Sequence, residues 1–247
     1  MNLIRSWLHL IFMGVTVVPW ALTALLASVF VSRTRMYWLC VGWLRLMIWS
    51  ARWMLGIRYR VQGRENLPRG EKDGVILLAK HQSTWETFAL PGIMPHPLAY
   101  VFKEELLKIP FFGWAMARMD MIHINRSRKR DAFMKVVAQG RRLLEQGTWV
   151  IMFPEGTRIE RGLAGQYKSG GARLAVEVGV DVIPVAVTSG RCWPRKALVK
   201  TPGVVEVSIG PCISSAGKTP EGLMAEVEQW IEAEMRRLDP EAYSRKH

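Results

Sequence analysis

The sequence predicts an α/β fold, a mostly parallel sheet of about seven strands flanked by helices, behind apolar helical segments at the amino terminus. Three observations predict it. Short apolar runs alternate with helical patterns from residue 57 onward. The 247 residues suffice to bury one sizeable core plus an appendage. Residues 6–32 contain no Asp, Glu, Lys or Arg, unlike any later stretch of that length. The boundary between appendage and main body falls near residues 55–60, so we divide the chain into anchoring helices (1–56) and a second domain (57–247).

The first segment, Ser6 to Ser32, is long enough to cross a bilayer even with Pro19 inside it. It exceeds a signal peptide in length and lacks a convincing small-x-small cleavage site, so an uncleaved anchor is expected. Arg33 and Arg35 follow at once, and basic residues dominate from Arg52 to Arg69, which assigns the bulk of the chain to the cytoplasmic face. Met36 to Leu55 differs, because Arg45 interrupts it. On a helical wheel Trp38, Arg45, Trp49 and Arg52 fall within about 60° of one another. Tryptophan and arginine on one face suit a helix lying among headgroups, and a second spanning helix with a snorkelling Arg45 is the alternative.

The strands expected next are Ile57–Gln62, Gly74–Ala79, Leu98–Phe102, Met119–Ile124, Trp149–Phe153, Asp181–Val187 and Val204–Ile209. Helical patterns lie near Thr84–Ile93, Ser127–Glu145, Gly170–Val178 and Pro220–Leu238. The second strand stops at Lys80-His81-Gln82-Ser83-Thr84-Trp85-Glu86. Ser83-x-x-Glu86 before Phe88-Ala89-Leu90 is a capping-box pattern, so a helix should start there. His81 then sits at the carboxyl end of a strand, where open α/β sheets bind ligands. With His81 in the loop and Glu86 in the first helical turn, the carboxylate can reach the ring. It would fix the imidazole tautomer and leave the other nitrogen to take a proton from a hydroxyl. The plain alternative is a helix cap beside an ordinary loop histidine.

Further along, Lys103 to Trp114 joins a basic pair to large apolar side chains, fit to dock on lipid, wall off an acyl pocket or simply pack the core. Ile124-Asn125-Arg126 ends the next strand, and cations at 126, 128, 129 and 130 oppose the helix dipole unless an anion is near. Phe153-Pro154-Glu155-Gly156-Thr157-Arg158 runs a buried strand into a tight turn. There Gly156 lets backbone amides approach a ligand, Thr157 and Arg158 can donate to phosphate oxygens, and Glu155 can hold Arg158 or a ligand hydroxyl. Lys168-Ser169-Gly170-Gly171 adds a further possible anion contact.

The net charge of +13 asks for an acidic partner: nucleic acid, anionic membrane or a phosphorylated substrate. Eleven tryptophans, many in the first 55 residues, favour a membrane interface. Cys40, Cys192 and Cys212 have no metal-ligand spacing and make no even framework, which points to a reducing compartment. No Glu-x-x-His or Cys/His cluster offers a metal site.

These blocks, in this order, resemble the glycerolipid acyltransferase family, and within it the enzymes that acylate 1-acyl-glycerol 3-phosphate. The matching blocks are Lys80–Glu86, Ile124–Arg126, Phe153–Arg158 and Val182–Val187, across roughly residues 75–190. The chain departs from the usual pattern in three places. Lys80 stands where Asn is usual before the histidine, Glu86 where Asp is usual, and Asn125 where Asp is usual. The resemblance implies that His81, oriented by Glu86, deprotonates the 2-hydroxyl of lysophosphatidic acid as it attacks an acyl thioester. Gln82 and Ser83 would bind substrate, with backbone amides of the Gln82–Thr84 turn as oxyanion donors. Lys103, Arg126, Glu155, Gly156, Thr157 and Arg158 would bind the glycerol phosphate. It implies no metal or other cofactor, acyl-CoA or acyl carrier protein as donor, membrane lipids as partners, and no nucleic acid. Another lysolipid acceptor, a thioester or ester hydrolase using His81, and a non-catalytic basic binder are the rival expectations. Gly-x-Ser-x-Gly is absent, so a serine hydrolase is not among them.

Overall fold

In the computed structural model, residues 1–70, 73–109, 112–124 and 129–244 are described. A seven-stranded sheet runs in the order β1-β7-β6-β2-β5-β3-β4. The strands are β1 (Ile57–Gln62), β2 (Ile76–Ala79), β3 (Leu98–Lys103), β4 (Ile122–Ile124), β5 (Trp149–Met152), β6 (Val182–Val187) and β7 (Gly203–Ile209). The five from β6 to β4 are mutually parallel. β7 pairs antiparallel with β6 and parallel with β1, so the β1–β7 pair points the other way. The expected α/β architecture is therefore present, its mostly parallel sheet closed on one flank by a reversed pair.

Every residue of β2 is buried, because the strand is covered on both faces. Leu77 and Ala79 point to one core with Trp85, Leu90, Trp149 and Ile151, and with residues of the amino-terminal helices. Ile76 and Leu78 point to the other, with Val136, Leu174, Val227 and Ile231 from the helices of the opposite layer. This two-sided burial is why the strand reads as a continuous apolar run. Helix α3 (Trp85–Ile93) follows β2, α4 (Phe112–Ala117) follows β3, α5 (Lys129–Glu145) follows β4 and α6 (Gly170–Val178) precedes β6. The last long helix, α7 (Pro220–Leu238), is capped by Thr219, whose hydroxyl accepts from the Gly222 amide. Its apolar stripe Leu223, Val227, Ile231 and Met235 packs on the sheet. A single helical turn, α8 (Pro240–Tyr243), ends the described chain.

The amino terminus forms an antiparallel pair, α1 (Asn2–Ala27) and α2 (Arg33–Ser50), with α2 running into one π turn at Ala51–Leu55. Two indoles stitch the pair: Trp20 donates to the Leu39 carbonyl at 3.0 Å and Trp43 to the Thr16 hydroxyl at 3.1 Å. α1 is the one helix among the described residues long and apolar enough to cross a membrane. Both of its ends nonetheless rest on the body of the protein. Near the start, the Ser6 hydroxyl accepts from the Lys200 amide at 2.9 Å, and His9 meets Ser50 at 3.1 Å and the edge of Trp193. Near the end, Ala24 packs with Met36 and Ala115. Its other face, including Ile4, Leu8, Ile11, Val15, Leu22 and Leu26, is exposed. On α2 the expected Trp–Arg face is seen in part. Arg45 lies over the Trp38 ring and reaches the Gly92 carbonyl, while Trp49 stays exposed beside Trp53.

Candidate active site

Strands β2 and β5 are neighbours, so the segments leaving their carboxyl ends meet. The Ile159 amide donates to the His81 carbonyl at 2.7 Å, which fastens the Phe153–Arg158 turn to the His81 loop. Gly156 takes φ +66° in that turn, a left-handed conformation costly for any residue with a Cβ. A Cβ there would also stand 2.9 Å from Lys168 Nζ.

Glu86 is fully buried and accepts at both oxygens. Oε1 takes the Gln82 and Ser83 amides, each at 2.7 Å, and His81 Nδ1 at 2.9 Å; Oε2 takes the Ser189 hydroxyl at 2.6 Å. The cap and the dyad are thus one arrangement rather than rival readings. The glutamate half of the capping box forms, while Ser83 Oγ accepts from Trp85 N instead of Glu86 N. A carboxylate facing Nδ1 makes that nitrogen the N–H and leaves Nε2 with its lone pair. The ring lies flat on Phe153, with centroids 4.0 Å apart and planes 15° off parallel. Tyr100 adds a tilted ring contact to Phe153, with centroids 6.2 Å apart.

His81 opens on a cavity of about 520 Å³. Its lining combines apolar Val101, Ile124, Phe133, Val136 and Met152 with Pro154, Gly156, Lys168, Gly170 and Gly171. Arg173 of α6 holds the Phe133 wall, its guanidinium 4.0 Å from the ring centre. Gly171 lets α6 approach β2, since a Cβ there would sit 2.5 Å from Leu78 Cδ2. A second cavity of about 270 Å³ lies between α1, α2, α3 and β3, lined by Trp20, Tyr37, Leu44, Phe88, Tyr100 and Met119 among others. Leu106, from the stretch expected to wall off an acyl pocket, contributes to it, as do Ala115 and Met116 just beyond that stretch.

Several expected roles change. The Gln82 and Ser83 amides are spent on Glu86, so they are not the oxyanion donors. Their side chains are buried: Gln82 Oε1 accepts from the Gly190 amide at 3.1 Å and Ser83 Oγ from Trp85 N. Glu155 faces inward, not toward Arg158 or a ligand. Its Oε1 accepts from Lys80 Nζ at 2.7 Å and from the Gly165 amide at 3.2 Å, its Oε2 from the His81 amide at 3.0 Å. Lys80 adds no charge to the cavity surface, because it is fully buried and also bonds Glu232 of α7 at 2.7 Å. Gly156 and Thr157 are exposed and Arg158 half-buried. Arg158 and Lys168 have no side-chain hydrogen bond or ion pair among the described residues, which leaves both free for an anion. Arg126 lies outside the described residues, and Lys103 is described only in its backbone, as the last residue of β3. The contributions of Ser189, Phe153 and Glu232 were not anticipated. Only Phe153 lay inside a recognised block; the others come from distant segments with no local signal.

The acyltransferase family matches residues 58–188 of the chain. A Pseudomonas aeruginosa protein named 1-acyl-sn-glycerol-3-phosphate acyltransferase is 41% identical over 241 residues, which cover 96% of this chain and 92% of that protein. The alpha 1-acyl-sn-glycerol-3-phosphate acyltransferase of Homo sapiens is 30% identical over 183 residues, 74% of this chain and 64% of its own length. Among solved structures, the 1-acyl-sn-glycerophosphate acyltransferase of Thermotoga maritima has the same fold, with a TM-score of 0.80 at 24% identity over 100% of this chain and 98% of that one.

Proposed function

The chain belongs to the acyltransferase family, and from that premise we propose that it transfers a fatty acyl group from an acyl thioester to the 2-hydroxyl of 1-acyl-glycerol 3-phosphate, yielding phosphatidic acid. The observation that carries the reading is the Glu86–His81 pair beside an amphipathic cavity. Glu86 holds the proton on Nδ1, so Nε2 accepts the proton of the acceptor hydroxyl as its oxygen attacks the thioester carbonyl. The imidazolium so formed is stabilised by the buried carboxylate. The tetrahedral intermediate collapses, the carbon–sulfur bond breaks, and His81 returns the proton to the leaving thiolate. Lys168 and Arg158 bind the phosphate of the acceptor, and Phe153 keeps the imidazole plane fixed while it cycles.

The acyl chain is a matter for the apolar linings, with the cavity under α1 and α2 as its seat. The donor is acyl-CoA or acyl carrier protein; both are acidic and suit a chain of charge +13. The chemistry asks for no metal and no cofactor beyond that co-substrate. We further place the protein on the cytoplasmic face of a membrane, its α1–α2 pair lying in one leaflet. Both ends of α1 are seated on one body, and its outer face is apolar.

The test is acyl transfer in liposomes with lysophosphatidic acid and a long-chain acyl thioester, using intact protein and His81→Ala. Phosphatidic acid from the first, and a loss of about 10²–10⁴-fold in the second, is the expected result. Free fatty acid instead would mark a hydrolase, and equal product from both proteins would remove His81 from the mechanism.

A further inference from the structure

Behind His81, away from the cavity, lies a group of ionisable side chains that the transfer chemistry does not touch. Lys80, Glu155 and Glu232 have side chains 0%, 0% and 7% exposed. All three donors of the Lys80 ammonium are used: Glu155 Oε1 at 2.7 Å, Glu232 Oε1 at 2.7 Å and the Leu163 carbonyl at 3.1 Å. Tyr167 donates to the same Glu232 oxygen at 2.8 Å. Burial, with the Glu232 and Glu155 charges nearby, pushes the Tyr167 hydroxyl far above its ordinary range, so it stays a donor.

A buried pair of this kind is weak evidence for stability, since apolar residues of similar volume often serve as well. Its position is more informative. Glu155 is the group that receives the His81 amide, and the segment Glu155 begins supplies the Ile159 amide to the His81 carbonyl. Both backbone polar groups of His81 are thus held by a segment whose anchor is Lys80. Lys80 is in turn clamped by Glu232, on a helix from the far end of the chain.

We propose that Lys80, clamped by Glu232, is a positioning residue for His81: it fixes the Glu155 carboxylate, which fixes the histidine backbone and so the reach of Nε2. The chain of contacts runs α7, Glu232, Lys80, Glu155, His81. It makes the seating of the carboxyl-terminal helix a condition for the base to be aligned. The kinetic consequence rests on the acyl-transfer reading above; the geometric one does not.

The experiment uses the full chain in detergent, with Lys80→Met, Glu232→Leu and Glu232→Gln, each assayed at a temperature where it is folded by near-ultraviolet circular dichroism. The first readout is the rate at which diethyl pyrocarbonate modifies His81, followed by peptide mass spectrometry, and it needs no turnover. The second is kcat and KM for lysophosphatidic acid. Lys80→Met and Glu232→Leu should change the His81 modification rate and lower kcat by about 10- to 100-fold, as expected for a base displaced by a fraction of an ångström to one ångström. KM should stay within about 2-fold, because the phosphate contacts are untouched. Glu232→Gln keeps an oxygen to accept from Lys80 and Tyr167, and should restore most of both values. Wild-type kcat and modification rate in folded Lys80→Met overturn the proposal, as does a raised KM with kcat retained. Should Lys80→Met not fold, the two Glu232 variants decide, and identical behaviour of Leu and Gln overturns it. If the wild-type protein transfers no acyl group, the functional reading falls and the modification rates still judge the clamp.

Discussion

Replacing Glu86 by Gln separates the two jobs that this carboxylate performs. Two backbone amides and the His81 Nδ1–H converge on Oε1, so a glutamine must place its oxygen there; the flipped amide would set N–H against N–H. Its amino group then faces Ser189 Oγ, which can turn to accept. The cap and the tautomer survive, and only the charge is lost. An imidazolium and a carboxylate with charge centres about 4 Å apart attract by about 4 kcal/mol at an effective dielectric of about 20. The retained neutral hydrogen bond recovers part of that, so kcat should fall by about 10²–10³-fold. Stability should change by about 1 kcal/mol or less, a shift of roughly 2–4 °C in Tm. Glu86→Ala is the contrast. It strands two buried amides, each costing about 1–3 kcal/mol, so Tm should fall by roughly 5–20 °C besides the loss of activity. Acyl transfer in mixed micelles and thermal unfolding of the same preparations measure both. Wild-type kcat in Glu86→Gln would refute an electrostatic role for the carboxylate; a Gln variant as unstable as Ala would refute the four-donor geometry.

Other expectations follow from single contacts. Lys168→Met and Arg158→Met should each raise KM for lysophosphatidic acid by about 10- to 100-fold with kcat and Tm nearly unchanged, because neither cation has a partner among the described residues to strand. Gly171→Ala should cost about 1–3 kcal/mol by driving a methyl group into Leu78, whereas Gly170→Ala, with open space at its Cβ, should be neutral or stabilising; thermal unfolding of the two distinguishes them. Ile11→Glu with Val15→Glu, on the exposed face of α1, should weaken liposome sedimentation by about 10-fold or more while leaving kcat in detergent intact.

The His81–Glu86 pair was legible because its signal is local. A short continuous apolar run bounded by turn residues reads as a strand covered twice, and the polar turn after it then marks the ligand end of the sheet. The helix boundaries at Gly170–Val178 and Pro220–Leu238 were read directly, since capping residues and apolar periodicity agree there. What escaped was anything decided by distant partners. Lys80 in a polar turn reads as solvated, because a lysine is almost never fully buried unless paired, and its partner is 152 residues away. Glu155 was assigned to the ligand for the same reason: nothing in Pro-Glu-Gly-Thr-Arg says that a lysine waits behind it. The Gln82 and Ser83 amides looked available because the capping box was weighed as an alternative to the dyad, not as part of it. The reversed β1–β7 pair was invisible too, since strand direction leaves no trace in hydropathy.

That reversed pair constrains the order in which the chain can be assembled. β1 follows directly on the amino-terminal helices, yet its hydrogen-bonding partner is residues 203–209. During synthesis at about 5–20 residues per second, some 7–30 seconds separate the two strands. For that interval the core that receives Tyr37, Val41, Ile48 and Leu55 is incomplete, because Ile183, Val185, Val205 and Val207 come from the later strands. The amino-terminal helices therefore wait with part of their inner face uncovered until the last strands close the sheet over it.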